Sequence, residues 1–221
     1  NPPMRGSPSK SAACNTSNIT NMADTHPLLT ILFPLLETPT TSVPHVFCDM
    51  DGVVANFYAG MQREFGVPQE RVNDFLVNKN GWAIITKENP HLFATLPILS
   101  GARELISGLT ALRDGGRIQL SMLTAIPTEW YVDPVMRKIS TQDKIQWITR
   151  HFQKIPAKNV LVVRREDKQH YAKAQRAIGH PAPILIDDFL KNIREWEMAG
   201  GVGIHHTSAH DSLQQLAKLL N

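Results

Sequence analysis

Cysteine is scarce in this 221-residue chain: Cys14 lies in a polar, proline-rich stretch and Cys48 in an apolar strand, which leaves no basis for a disulfide framework. A reducing compartment is therefore expected. The cytoplasm is the expected location, and an organelle is the alternative because the first 23 residues carry Arg5 and Lys10 and no acid. The sequons at Asn15 and Asn18 then stay idle. Clustered basic charge is also missing. With 23 Lys plus Arg against 20 Asp plus Glu the net charge is only +3, and no basic run exists to follow a phosphate backbone, which excludes polymeric nucleic acid and a charged membrane surface as partners. No long apolar run occurs either: residues 28–36 are broken by Pro34 and fall far short of the roughly 20 residues that span a bilayer. There is no CxxC and no GxxxxGK[ST], which argues against zinc modules and nucleotide-triphosphate loops. Gly200-Gly201-Val202-Gly203 follows a helical pattern instead of a strand, so it is no dinucleotide fingerprint. His205-His206 lacks a third ligand at useful spacing.

What the chain does contain is the composition of an ordinary globular protein, 42% hydrophobic and 19% charged. Residues 1–43 are rich in Pro, Ser, Thr and Asn and read as a disordered leader. From Pro44 short apolar runs alternate with amphipathic stretches, the pattern of βαβ units on a parallel sheet. Strands are expected at 45–48, 117–123, 159–163, 183–186 and 202–204. Helices are expected at 101–113, 141–154, 191–199 and 208–220. Residues 56–100 hold helical fragments and no convincing strand. The fold expected is α/β, a three-layer Rossmann-like parallel-sheet core of residues 44–55 and 101–221, with residues 56–100 as a small helical cap inserted after the first strand.

Four strand ends carry the chemistry. His45-Val46-Phe47-Cys48-Asp49-Met50-Asp51-Gly52 delivers two carboxylates, two residues apart, into a glycine turn at the end of a strand where open parallel sheets bind ligands. One such carboxylate can attack phosphorus while its neighbour passes a proton to the leaving oxygen and later takes one from water. Alone, an Asp-Gly turn with solvated acids would explain the pattern better. The other three strand ends shift the balance. Thr124 offers a hydroxyl; residues 160–163 lead to the basic group that ends in Asp167-Lys168; and Ile184-Leu185-Ile186 ends in Asp187-Asp188, adjacent acids that repel unless a hard cation such as Mg²⁺ joins them.

In this order the motifs resemble those of the haloacid dehalogenase superfamily of phosphatases. Within it, Asp49-Met50-Asp51-Gly52-Val53-Val54-Ala55-Asn56-Phe57 resembles the DMDGVLADF of the 5'(3')-deoxyribonucleotidases, Asp167-Lys168 the end of their TRDK, and Leu185-Ile186-Asp187-Asp188 their LIDD. Asn56 stands where those enzymes carry Asp, and the connection from Lys168 to Asp187 is longer than theirs. The resemblance implies Asp49 as nucleophile, Asp51 as acid/base, and Thr124 and Lys168 as phosphate holders. It further implies Mg²⁺ between Asp49, the main-chain carbonyl of Asp51, and Asp188, with Asp187 in support; spacing fits either acid of that pair. Lys144, followed by Trp147, resembles a lysine of the family's second helix and takes a secondary place. Phe57 matches a base-stacking Phe, and Trp82 and Phe93 are the insert's other aromatics available to a substrate, although each could equally pack the insert's own core. The activity implied is Mg²⁺-dependent dephosphorylation of nucleoside monophosphates, pyrimidine deoxyribonucleotides in particular, through an aspartyl-phosphate. Its partner is a small phosphomonoester, and a homodimer is compatible with it. A sugar phosphate as substrate, or a non-catalytic binding domain, are the alternatives.

Overall fold

In the computed structural model, which describes residues 43–221, five strands form one parallel sheet in the order β3-β2-β1-β4-β5. They are β1 (His45–Cys48), β2 (Gln119–Ile126), β3 (Val160–Arg164), β4 (Ile184–Asp187) and β5 (Val202–His205). The expected leader lies outside the described residues apart from Val43. Every residue of β1 and β4 is buried, which is why both read as unbroken apolar runs. In register, Val46 faces Ile184 and Cys48 faces Ile186 on one side, and Cys48 faces Met122 on the other.

Four helices connect β1 to β2 before the chain enters the layer beside the sheet: α1 (Phe57–Phe65), α2 (Val72–Asn78), α3 (Gly81–Glu88) and α4 (Leu92–Thr95). Asn56 caps α1 by accepting from the Ala59 amide at 2.9 Å. Then follow α5 (Ala102–Asp114), α6 (Thr128–Val132), α7 (Pro134–His151), α8 (Lys168–Ala177), α9 (Leu190–Met198) and α10 (Ala209–Leu219). Helices α5 and α10 pack together, as do α8 and α9, and helices cover both faces of the sheet. The apolar stripe of α5, Leu105, Ile106 and Leu109, is buried as its spacing predicts. No helix among the described residues is long and apolar enough to cross a membrane.

Several elements differ from the sequence reading, among them a short helix, α6, where none was expected. Strand β2 runs three residues further, to Ile126, because its end pairs with β3 alone, Ile126 facing Arg164. Helix α7 begins at Pro134 instead of residue 141, with Asp133 accepting from the amides of Val135 and Met136. Helix α8 occupies what was read as a connection. Its buried face is Lys168, Tyr171, Ala172 and Gln175, a stripe with little apolar signal.

The order of strands places the crevice. From β1 the chain moves toward β2 and β3, whereas from β4 it moves toward β5, so the carboxyl ends of neighbouring β1 and β4 flank the point where the connections diverge. Asp49 and Asp187-Asp188 stand there.

Candidate active site

After β1 the backbone turns at Gly52, whose φ of +75° suits glycine. A second demand falls on the same residue: a Cβ there would lie 2.0 Å from Asp188 Oδ2, so the carboxylate fills the space that a side chain would need. The Val54 and Ala55 amides both donate to the Met50 carbonyl, closing the turn of residues 50–55 that holds Asp51 and Gly52.

Each carboxylate of the first motif meets its own lysine. Lys168, the first residue of α8, places Nζ 2.9 Å from Asp49 Oδ1 and 2.7 Å from Asp187 Oδ2. Lys144, fully buried on α7, pairs with Asp51 Oδ2, donates to Thr124 Oγ1 at 3.1 Å, and sits 3.9 Å over the Phe93 ring. Lys144, given a secondary place in the sequence reading, thus touches Asp51, Thr124 and Phe93 together. A signal was present: Met136, Ser140, Lys144 and Ile148 recur at helical spacing on the buried side of α7, and a lysine in a core stripe needs a partner. Ile145 on the same helix is only half-buried, whereas Ile148 is fully buried.

The electrostatics call for a cation. Burial, reinforced by Asp187, Asp51 and Asp188 and opposed by Lys168, pushes Asp49 up to about 7. Burial, with Asp187 and Asp51 adding, pushes Asp188 up to about 6. Burial alone would lower Lys168, yet Asp187 and Asp49 outweigh it and hold the ammonium above its ordinary range. Asp49, Asp187 and Asp188 each offer an oxygen within 4.8 Å of the others. Asp187 is already occupied: Oδ1 accepts from the Phe189 amide and Asn192, and Oδ2 from Lys168 and Asn192. That leaves Asp49 and Asp188 as the carboxylates with capacity for an ion, and the donor set fits a hard, oxygen-seeking one.

Beside the acids lies a cavity of about 350 Å³ that Asp51 shares with Phe57, Trp82 and Phe93. The Phe57 ring centroid is 6.2 Å from that of Trp82 and 6.5 Å from that of Phe93. Trp82 rests edge-on against Trp130 at 5.1 Å, and Phe93 is buried against Lys144. These aromatics thus pack on one another and also line the cavity. The rest of the wall is Ala125 to Glu129 from the end of β2 and start of α6, with Arg165 and Glu166. Arg165 lay within the basic group read after β3 but was given no role of its own, and Asn192 escaped the sequence reading because nothing in the local pattern marks it.

A doubly covered parallel sheet with paired acids beyond β1, a hydroxyl on β2, a lysine after β3 and a second acid pair at β4 defines a phosphatase of the haloacid dehalogenase type. The chain belongs to the family "5' nucleotidase, deoxy (Pyrimidine), cytosolic type C protein", whose model matches residues 42–214, and it is a phosphatase of the 5'-nucleotidase kind. Solved structures similar to the chain include a haloacid dehalogenase-like family hydrolase from Xanthomonas campestris (13% identity, 80% of this chain and 92% of that one, TM-score 0.48). Others are a hydrolase from Streptococcus pneumoniae (12%, 80% and 99%, 0.43) and a haloacid dehalogenase-superfamily hydrolase, subfamily IA, from Geobacter sulfurreducens (15%, 83% and 99%, 0.44). Comparison with curated proteins gave no match.

Proposed function

We propose that the chain is a Mg²⁺-dependent phosphomonoesterase of nucleoside monophosphates, pyrimidine deoxyribonucleotides in particular, working through an aspartyl-phosphate with residues 56–100 as its cap. The observation that carries this reading is the junction of two unlike surfaces at Asp51: the acid and lysine cluster on one side, and an aromatic cavity of nucleoside size on the other.

An Asp49 oxygen attacks phosphorus, the bond from phosphorus to the ester oxygen breaks, and the electron pair leaves with that oxygen as Asp51 protonates it. Asp51 is suited to the task because Oδ2 is tied to Lys144 while the buried Oδ1 has no hydrogen-bond partner among the described residues. In the second half Asp51 takes a proton from water, the water oxygen bonds to phosphorus, and the bond to Asp49 breaks to release orthophosphate. The Thr124 hydroxyl accepts from Lys144 and keeps its own proton for a phosphoryl oxygen, with Lys168 as the second holder. Mg²⁺ would be held by Asp49, Asp188 and the Asp51 carbonyl, and it supplies the positive charge that lets an anionic nucleophile approach an anionic phosphate.

The test is orthophosphate release from a panel of nucleoside monophosphates and sugar phosphates, with Mg²⁺ and with a chelator. Nucleotides turned over only with the metal are expected. Sugar phosphates turned over in preference to every nucleotide would overturn the substrate, and full activity in chelator would overturn the metal.

A further inference from the structure

His205, the last residue of β5, and His206 send their rings to separate partners. His206 Nδ1 lies 2.9 Å from Ser212 Oγ on α10, both residues buried, and its amide donates to the Asp187 carbonyl at 2.9 Å. Pairing of β4 with β5 ends there, with Asp187 facing His205. The carbonyl one residue further on, that of Asp188, takes its hydrogen bond from a side chain instead: His205 Nε2 is 3.0 Å away. A carbonyl only accepts, which puts a ring proton on Nε2. The side chain of an edge strand thus extends the ladder by one residue, to a peptide that carries part of the acid cluster. That peptide is gripped at its other end too, since its N–H, the Phe189 amide, donates to Asp187 Oδ1 at 2.9 Å.

The two acids of the pair differ in how their side chains are held. Both oxygens of Asp187 are bonded, by Lys168, Asn192 and the Phe189 amide, whereas no side chain among the described residues donates to the Asp188 carboxylate. Its place over Gly52 and beside Asp49 therefore depends on the peptide behind it. Gly52 leaves room for the carboxylate but does not hold it there. We infer that His205 is a positioning residue for the metal: its Nε2 proton pins the Asp188 peptide, and with it the carboxylate, a conclusion that rests on the reading of Asp188 as a Mg²⁺ ligand above. A ligand group that is free to turn has to be ordered when the ion arrives, and that ordering weakens binding. With the ion in place the carboxylate is held from its other end. Loss of His205 thus falls on metal affinity and leaves the chemical step.

The experiment reads the Mg²⁺ Kd of the free enzyme from its Tm against MgCl₂ at one fixed pH, without substrate, for the wild type and for His205→Gln, His205→Asn, His205→Phe and His205→Ala. Glutamine carries an amide nitrogen at the reach of Nε2, asparagine stops one methylene short, and phenylalanine keeps a ring without a donor. His205→Gln is expected to keep the wild-type Kd, and the other three to weaken it by roughly tenfold to a hundredfold, the range over which groups behind metal ligands act. The apparent KM for Mg²⁺ in orthophosphate release should rise in parallel, while kcat at saturating Mg²⁺ stays near the wild-type value. A side chain that only packs the end of β5 would be replaced best by phenylalanine, so the order of the variants separates the donor from the ring. If His205→Ala or His205→Phe fails to fold, the Gln and Asn variants still decide. A wild-type Kd in His205→Asn, or a His205→Gln as weak as His205→Asn, overturns the role of His205 while leaving the metal reading intact. A wild-type Tm that ignores Mg²⁺, with full activity in chelator, overturns both.

Discussion

His45, which opens β1, and Asp49, the residue just past its end, respond to acid in opposite senses. Asp49 is held up at about 7, so its ionised form is disfavoured in the fold, and its contribution to stability is full below the ordinary carboxylate range and lost as pH rises through 7. Asp49→Asn should therefore abolish turnover, since an amide cannot attack phosphorus, while the Tm in chelator at pH 7.5 stays level or rises. Activity within tenfold of the wild type would remove Asp49 as nucleophile. His45 is pushed down to about 3 by burial, with His180 adding. Its ring stacks on Phe47 at 4.0 Å, and Nε2 lies 2.9 Å from Ser121 Oγ. The neutral ring is what the fold stabilises, so this contribution is full above about 6.5 and lost as pH falls toward 3. At about 1.36 kcal/mol per pH unit, the step from pH 6.5 to 5 removes about 2 kcal/mol. Urea unfolding of the wild type and His45→Asn at the two pH values should show that difference in slope, and equal slopes would mean that His45 titrates normally.

At the scale of elements, α7 does the most to join the site. Its Trp147 Nε1 donates to the Leu96 carbonyl at 2.7 Å, Arg150 donates to Ala94 at 2.8 Å, and Asp143 meets His91 Nδ1 at 3.1 Å. One face of the helix thus grips residues 91–96, which carry Phe93, while Lys144 reaches Asp51. Trp147→Phe should keep the packing but strand the buried Leu96 carbonyl, a loss of about 1–3 kcal/mol in urea unfolding. Asp133→Ala removes the cap and should cost about 1 kcal/mol by the same measurement. The start of α7 was legible in Asp133-Pro134, a capping acid followed by proline at the first helical position, but residues 137–143, polar except for Ile139, diluted the apolar period and moved the expected start to 141. Helix α8 was not legible, because its buried face is Lys168 and Gln175 as much as Tyr171 and Ala172, the lysine buried against Asp49 and Asp187 and the glutamine against His180.

For the molecule as a whole, the four strand ends could be read from sequence because buried parallel strands are short apolar runs and the polar residues at or near their carboxyl ends stand out against them. Their order across the sheet could not, since nothing local says that β4 lies beside β1. That adjacency brings Asp188 to Asp49. It also predicts coupling between metal and fold: an ion bound by the native acids and not by the unfolded chain raises stability by about 2.7 kcal/mol at a hundred times its Kd. Mg²⁺ should raise the Tm of the wild type, and Asp188→Asn should abolish most of that rise. An undiminished shift in the variant would place the ion elsewhere. Gly52 adds a constraint of history. The Asp188 carboxylate occupies the space of its missing side chain, and the positive φ remains even if that carboxylate is lost. In a descendant that abandons catalysis, position 188 is free to drift first. Position 52 can follow only afterwards, and toward asparagine before any β-branched residue, so the pair records in which order an ancestral activity decayed.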